Sequence, residues 1–162
     1  MFGAFLMMHS ITRFNIRVYG ILFNAKGAVL VADEIIRGKK FTKFPGGGLE
    51  LGEGTIDCLV REFNEETSAK IKVEKHLYTC DFFMPSAFDD DSQVISIYYL
   101  VNCENPELIQ TTEQAFDEKM MGNCKPFHEA FRWVEKEKLR CEKHLSLPID
   151  VRVVELITAQ DF

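Results

Sequence analysis

A dense group of carboxylates stands between residues 47 and 69, in the segment GGLELGEGTIDCLVREFNEETSA. Its five glutamates include Glu53, Glu62, Glu65 and Glu66. At the helical period of about 100° per residue, the last three fall on one helix face. Because like charges three and four residues apart repel each other, a divalent cation is the usual way to stabilise such a face. Oxygen ligands favour Mg²⁺, Mn²⁺ or Ca²⁺ over zinc, so these acids predict a site for one of those ions.

The elements that position these acids can be predicted from the same segment. Residues 54–68 are predicted to form a helix, because apolar residues recur there at the spacing i, i+3, i+4 and i+7. This apolar stripe consists of Ile56, Leu59, Val60 and Phe63. Before the helix, Pro45 leads into three consecutive glycines at 46–48, which let the chain turn sharply beneath a ligand. We therefore expect the stripe to pack against the core while the neighbouring face presents its acids.

The segment resembles the Nudix box of the Nudix hydrolase family, whose pattern is G-x5-E-x7-R-E-U-x-E-E-x-G-U, with U a bulky aliphatic residue. The matching residues, at the required spacings, are Gly47, Glu53, Arg61, Glu62, Glu65 and Glu66. Phe63 stands at the first U position, while Ser68 and Ala69 replace the final G-U. The family's glycine normally ends the helix in a left-handed conformation. Since serine tolerates that conformation poorly, we expect a slightly different helix exit.

The resemblance implies an enzyme that cleaves a diphosphate bond with Mg²⁺ or Mn²⁺ as cofactor. In the family this helix holds the divalent cations, which makes Glu62, Glu65 and Glu66 the expected metal ligands. Glu53 and Arg61 correspond to a salt bridge that braces the loop against the helix. Which acid also serves as the general base varies within the family. The expected catalytic set is therefore Glu62 and Glu65, supported by Glu53 and Arg61.

Two further metal ligands are expected outside the helix. In the family a backbone carbonyl of the glycine turn completes the metal shell, and Gly46 is our choice for it. Nudix enzymes also recruit a carboxylate from a late loop or strand start. Glu129 stands just before the apolar run at 131–134, which is such a place. The alternative for Glu129 is an exposed acid at a strand end.

The rest of the chain alternates between strands and helices. Strands are predicted at residues 14–23, 28–32, 71–83, 94–101 and 128–134, and a closing helix at 146–159 with Ser146 as its N-cap. Residues 33–43 read as a polar, basic connection. This order indicates the α/β (α+β) class with a mixed sheet, in agreement with the α/β/α sandwich that the resemblance implies. We expect a single Nudix domain over residues 1–162, in which 1–12 form an N-terminal extension.

Composition and charge narrow the class of partner. The 162 residues carry a formal net charge of −6 and no basic stripe, so we expect a small phosphorylated nucleotide rather than a nucleic acid polymer. The five cysteines include no C-x-x-C pair and are typical of free thiols in a reducing cytosol. No stretch has the roughly 18 apolar residues of a membrane span. We therefore expect a cytoplasmic protein that does not associate with a membrane. Whether it forms a homodimer is left open.

The residues that bind substrate are not identified by the sequence. The aromatic candidates for stacking on a nucleobase are Phe14, Tyr19, Phe41 and Phe44. ADP-ribose pyrophosphatases tend to carry a proline at the distance after the box at which Pro85 stands. The predicted substrate is therefore a nucleoside diphosphate linked to another moiety, of the nucleoside triphosphate, ADP-ribose or nucleotide-sugar type. The alternative function is a catalytically weak Nudix domain that acts as a nucleotide-binding module.

Overall fold

The computed structural model describes residues 11–117, 128–141, 145 and 147–159. Within these residues there are seven strands, three α-helices and one 3₁₀ turn. In chain order they are β1 (Arg13–Leu22), β2 (Ala28–Ile36), β3 (Lys39–Lys43), β4 (Gly46–Gly48), α1 (Thr55–Thr67), β5 (Ile71–Thr79), β6 (Ser92–Cys103), the 3₁₀ turn (Pro106–Leu108), β7 (His128–Glu135), α2 (Lys136–Cys141) and α3 (Pro148–Thr158). None of the described helices is long and apolar enough to cross a membrane.

The strands form two sheets. One has the order β4-β1-β6-β5, in which β1 runs parallel to β6 while the other two pairs are antiparallel. The second sheet has the order β3-β2-β7 and is antiparallel throughout. A single bridge between Phe23 and Val29 joins β1 to β2. The predicted mixed sheet in a fold of strands and few helices is confirmed, although the strands divide between two sheets.

Both faces of the sheets are covered, because successive side chains of a strand point to opposite sides. On β1, Val18 and Leu22 belong to a core with Leu59 and Phe63 of α1. Ile21 lies in a second core, which contains the apolar residues of α3. The strands therefore lie between α1 on one side and α3 on the other, the layering expected of an α/β/α sandwich.

The face of α1 that packs against the sheet differs from the predicted stripe. Leu59 and Phe63 are fully buried, but Ile56 is 51% exposed and Val60 is 38% exposed. Glu62 and Glu66 lie within about 60° of Leu59 at the helical period, on the buried side. The prediction that the acids and the packed stripe occupy separate faces was wrong. The helix is rotated so that one face carries both the core residues and two of the acids.

The segment 33–43 is a β-hairpin, and its prediction as a connection was wrong. Arg37 and Gly38 both have positive φ, of 50° and 77°, as a two-residue hairpin turn requires. Two charged residues of this segment, Asp33 and Lys43, are buried, whereas Arg37, Lys39 and Lys40 are exposed. Asp33 accepts hydrogen bonds from Thr42 at 2.6 Å and from Arg132 Nε at 2.7 Å. Polar composition did not predict the burial of Asp33 and Lys43, because each has a partner of opposite charge on a neighbouring strand.

Several element ends also differ from the predictions. The strand predicted at 71–83 ends at Thr79. Ser68 does take the left-handed conformation at the end of α1, with φ of 58°, so the expected change at the helix exit was wrong. Helix α3 begins at Pro148 with Leu147 as its N-cap, and Ser146 lies outside the described residues. Most of the N-terminal extension predicted at 1–12 lies outside them as well.

The first testable prediction concerns the contact between α1 and β1. A Cβ atom at Gly20 would lie 2.6 Å from Cε2 of Phe63, so Gly20→Ala should destabilise the protein by about 1–3 kcal/mol through overpacking. Urea unfolding would measure the loss. In a Phe63→Leu background the same substitution should cost less, because the clashing ring is gone. An equal cost in both backgrounds would contradict the proposed clash.

Candidate metal centre and adjoining cavity

The glycine turn allows α1 to approach the sheet closely. A Cβ atom at Gly47 would lie 2.2 Å from the carboxylate carbon of Glu62, so only glycine leaves room for that acid. Gly46 has a φ of +132° and faces the backbone of β1, where a Cβ atom would meet the carbonyl oxygen of Val18 at 2.1 Å. The backbone conformation and the close approach of Glu62 thus explain why glycines precede this helix.

Three carboxylates from three elements meet at this point. Glu34 of β2 stands directly opposite Glu129 of β7 in the antiparallel ladder, and Glu66 comes from α1. One carboxylate oxygen of each residue lies within 4.8 Å of the others. The structure therefore brings the predicted residues Glu66 and Glu129 together and adds Glu34, which the sequence analysis missed. Recognising 33–43 as a hairpin would have placed Glu34 on a strand opposite Phe41, but its position beside Glu129 depends on the pairing of β2 with β7, which is distant in sequence.

The acids of this cluster are costly to ionise. Burial, together with the charges of Glu62 and Glu34, raises the pKa of Glu66 to about 7 against the attraction of Lys43. Burial and the neighbouring Glu66 raise the pKa of Glu129 to about 9. Oε2 of Glu66 and Oε1 of Glu129 are both buried without a hydrogen-bond partner among the described residues. The cluster is therefore short of positive charge and of hydrogen-bond donors.

One ammonium group lies within this cluster. The Lys43 Nζ atom is 2.7 Å from Oε1 of Glu34 and 4.0 Å from Oε1 of Glu129, and it donates a hydrogen bond of 3.1 Å to the carbonyl of Gly46. Its side chain is only 6% exposed. Burial alone would lower the pKa of Lys43, but the attraction of Glu34 and the other acids outweighs it and raises the pKa. Lys43 is therefore held in its charged form.

A second ion-pair network fastens the loop before α1. Arg61 Nη2 is 2.7 Å from Oε1 of Glu53, and Arg61 Nε is 3.1 Å from Oε2. The same guanidinium donates to the carbonyl of Gly48 at 3.2 Å and to Glu62 at 3.0 Å. Glu65 meets Arg61 at 3.3 Å but is 57% exposed, so the structure does not bring it into the buried cluster. Glu53 and Arg61 thus hold the loop and helix together.

The donor set fits a hard divalent cation. All the side chains in the cluster that could act as ligands are carboxylates, and oxygen donors are what Mg²⁺ and Mn²⁺ prefer. The unpartnered oxygens of Glu66 and Glu129 are the atoms that such an ion would satisfy. Glu62 lies at the edge of the cluster, where its charge acts on Glu66.

A cavity of about 370 Å³ opens beside the cluster and shares Glu34 and Lys43 with it. Most of its wall is apolar, with contributions from Ile36, Phe41, Met84, Pro85, Phe88 and Val94. Arg17 and Asn15 of β1 supply polar groups, and Tyr19 also lines the wall. Of the predicted aromatic candidates, Tyr19 and Phe41 reach this cavity, whereas Phe44 is buried in the core and Phe14 is 67% exposed.

A larger groove of about 720 Å³ lies at the C-terminal end of α1. Its wall includes Thr67, Lys70 and Leu108, and it shares no residue with the carboxylate cluster. Size alone would favour this groove as the binding site. We assign the site to the smaller cavity because chemistry on a bound molecule needs the acids within reach.

The family of the chain follows from comparison with known proteins. A family model of the NUDIX domain matches residues 13–156, so the chain belongs to the NUDIX family. This confirms the resemblance seen at residues 47–69 and, with it, the predicted enzyme class of Nudix hydrolase. A search of curated protein sequences found no match.

Solved structures show the same fold. A NUDIX hydrolase from Nitrosomonas europaea has a TM-score of 0.66 at 18% identity, covering 91% of this chain and 90% of that chain. A MutT protein from Methanosarcina mazei Go1 has a TM-score of 0.63 at 19% identity, covering 88% and 91%. An ADP-ribose pyrophosphatase from Streptococcus suis 89-1591 has a TM-score of 0.55 at 12% identity, covering 91% and 92%. At these identities the likeness concerns the fold.

The second testable prediction concerns the brace between Glu53 and Arg61. Hydrogen bonds from Arg61 lower the pKa of Glu53 from its ordinary value of 4.5 to about 2. Because the folded-state pKa is depressed, this pair should stabilise the fold above about pH 4.5, and that stabilisation should be lost as the pH falls towards 2. The gap in stability between wild type and Glu53→Gln should therefore narrow with acidification.

Urea midpoints measured along a pH series would test this narrowing. The gap in stability between wild type and Arg61→Gln should narrow in the same way, since this substitution removes the other partner of the same pair. A gap between wild type and Glu53→Gln that stays constant from pH 6 to 2 would show that the pair does not set the pKa of Glu53.

Proposed function

We propose that the chain is a divalent-metal-dependent hydrolase of a diphosphate bond in a nucleoside diphosphate linked to another moiety. The observation that supports this most strongly is the continuity between the carboxylate cluster and the cavity, which share Glu34 and Lys43. A molecule in the cavity would present its phosphates to the acids. Membership of the NUDIX family favours the same chemistry.

The residues proposed to hold Mg²⁺ or Mn²⁺ are Glu62, Glu66 and Glu129, with Glu65 and the Gly46 carbonyl as further candidates. A metal bound there supplies positive charge to the diphosphate oxygens and lowers the pKa of water. The chain's own acids provide the acceptor for the proton of the attacking water. Because the unpartnered oxygens of Glu66 and Glu129 are proposed to bind the metal, Glu62 and Glu65 are the candidates for the base.

Arg17 is the group best placed to recognise the substrate itself. Its guanidinium lines the cavity and makes one hydrogen bond to another described side chain, from Nε to the hydroxyl of Tyr19 at 3.4 Å. The charges of Glu34 and Glu62 act on it, so it lies within reach of the acids. A mostly buried guanidinium binds phosphate or base acceptors well through those donors that no described side chain occupies.

The cavity favours a nucleoside as the occupant. Its volume falls within the range of about 300–1,000 Å³ that is usual for ligand pockets, and its apolar and aromatic wall suits a planar base. Pro85, the residue whose position suggested ADP-ribose, forms part of that wall. The similarity in fold to an ADP-ribose pyrophosphatase agrees with this type of substrate. ADP-ribose therefore stands beside nucleoside triphosphates and nucleotide sugars as the first compounds to assay.

The experiment that tests the function is a substrate panel. Nucleoside triphosphates, ADP-ribose and nucleotide sugars are incubated with the protein, with and without Mg²⁺ or Mn²⁺, and phosphate-containing products are separated chromatographically. We expect cleavage of at least one compound and no cleavage in the presence of a chelator. Nucleotide binding without turnover of any compound would support the alternative, a binding module, and reject the enzyme.

The third testable prediction concerns Glu66. Glu66→Gln should reduce the metal-dependent rate by about 100-fold or more, because it removes a charged ligand from the centre while preserving the side chain's size. The thermal midpoint should not fall. The matched control is Glu155→Gln, an exposed acid on α3 that pairs with Arg152 and should keep full activity. Full activity of Glu66→Gln would reject the proposed metal centre.

The fourth testable prediction concerns Arg17. Arg17→Met should raise KM about tenfold or more and change kcat less, because it removes a contact to the bound substrate rather than to the reacting atoms. Arg17→Lys should restore part of the affinity, since it returns the charge without the guanidinium fork. Arg152→Met, at an exposed position of α3, is the matched control and should leave KM unchanged. An unchanged KM in Arg17→Met would exclude Arg17 from substrate binding.

A further inference from the structure

The carboxylate cluster already contains a cation that belongs to the chain. Lys43 Nζ lies 2.7 Å from Glu34, donates to the Gly46 carbonyl at 3.1 Å and stands 4.0 Å from Glu129. Two of these groups, the Glu34 carboxylate and the Gly46 carbonyl, are oxygen donors in direct contact with the ammonium, while the Glu129 carboxylate lies further away. The ammonium is thus placed where an ion bound by Glu34 would lie.

We propose that Lys43 is a resident cation of this centre, taking the place of a divalent ion beside Glu34, so that metal is held by Glu62, Glu66 and Glu129 and not by Glu34. The proposal rests on the proposed function, since it assigns the acids of the same centre. In this arrangement the charge of the Glu34 carboxylate neutralises that of the Lys43 ammonium. Glu34 is then not a metal ligand, although it belongs to the group of three carboxylates that could hold a metal ion.

The burial of Lys43 supports a fixed position. The side chain is 6% exposed, and its Nζ lies 5.9 Å from the ring centre of Tyr19, which itself stacks on Tyr98. The strand pairing also restrains it, because Lys43 is opposite Ala32 in the β2–β3 ladder while Glu34 lies two residues further along β2. Moving the ammonium away would leave Glu34 as a buried carboxylate without its ion-pair partner.

The charge distribution divides the centre into two parts. Lys43 contacts Glu34 directly, whereas the unpartnered oxygens belong to Glu66 and Glu129. The need for an added cation is therefore concentrated at Glu66 and Glu129, with Glu62 beside them. A centre with one built-in ammonium should bind one divalent ion fewer than the same carboxylates would bind alone.

The fifth testable prediction is a change in metal stoichiometry. Mn²⁺ binding is measured by isothermal titration calorimetry on the wild type, Lys43→Met, Lys43→Arg and the double variant Lys43→Met/Glu34→Gln. Lys43→Met should bind one more Mn²⁺ than the wild type, because the vacated place beside Glu34 becomes a metal site. Lys43→Arg keeps the charge and should keep the wild-type number. The double variant should return to that number as well, because the extra site needs Glu34.

An equal or lower number of bound ions in Lys43→Met would overturn the proposal, as would an extra ion that persists in the double variant. Absence of Mn²⁺ binding to the wild type would reject both the proposal and the metal-dependent function. Binding that follows the predicted pattern, combined with no hydrolysis in the substrate panel, would reject the function alone. Hydrolysis by the wild type with unchanged stoichiometry in Lys43→Met would reject the role of Lys43 alone.

A second measurement uses only the wild type, so it tests the proposed role of Lys43 even where Lys43→Met fails to fold. Anomalous diffraction from crystals of the wild type soaked in Mn²⁺ should locate manganese against Glu62, Glu66 or Glu129. Lys43 Nζ should remain in contact with Glu34. A direct bond between Mn²⁺ and the Glu34 carboxylate, with Lys43 displaced, would show that the ammonium only fills the place until metal arrives.

Discussion

Mutual repulsion among buried carboxylates is the constraint on which the rest of this structure depends. Glu34, Glu66 and Glu129 come from separate elements and are brought within 4.8 Å of one another, away from most of the solvent. Burial and like charge both favour the protonated form, and the raised pKa values of Glu66 and Glu129 express that cost. The acids stay close together only because the surrounding fold holds them in place. A cation among them, either the Lys43 ammonium or a bound metal ion, reduces their mutual repulsion.

The packing of α1 supplies much of that restraint. Phe63 is buried against the space left by Gly20, and Leu59 lies in the same core. Because these side chains fix the rotation and height of the helix, Glu66 has little freedom to retreat from its neighbours. On the other side, the bidentate contact of Arg61 with Glu53 ties the helix to the preceding loop. Core packing and ion pairing thus act on the same element from two sides.

The hairpin of β2 and β3 contributes the parts that the Nudix box does not contain. It brings Glu34 and Lys43 to the boundary between the acids and the cavity, and Phe41 to the cavity wall. The hairpin and the neighbouring loop at Pro85 line the pocket, whereas the box supplies Glu62 and Glu66. This arrangement separates the groups proposed to cleave the diphosphate from those proposed to select what is attached to it.

The sequence by itself determined the family, the helix predicted at 54–68 and observed at Thr55–Thr67, and the pairing of Glu53 with Arg61, because these depend on spacing within one short segment. Only the tertiary structure decided which helix face is buried and where Glu34 and Lys43 lie. Exposed Ile56 and buried Asp33 show the reason: burial depends on which surface an element meets and on partners distant in sequence. Local periodicity carries no information about that surface or about those partners. The position of Lys43 and Glu34 beside Glu129 therefore appears only once the hairpin is folded against β7.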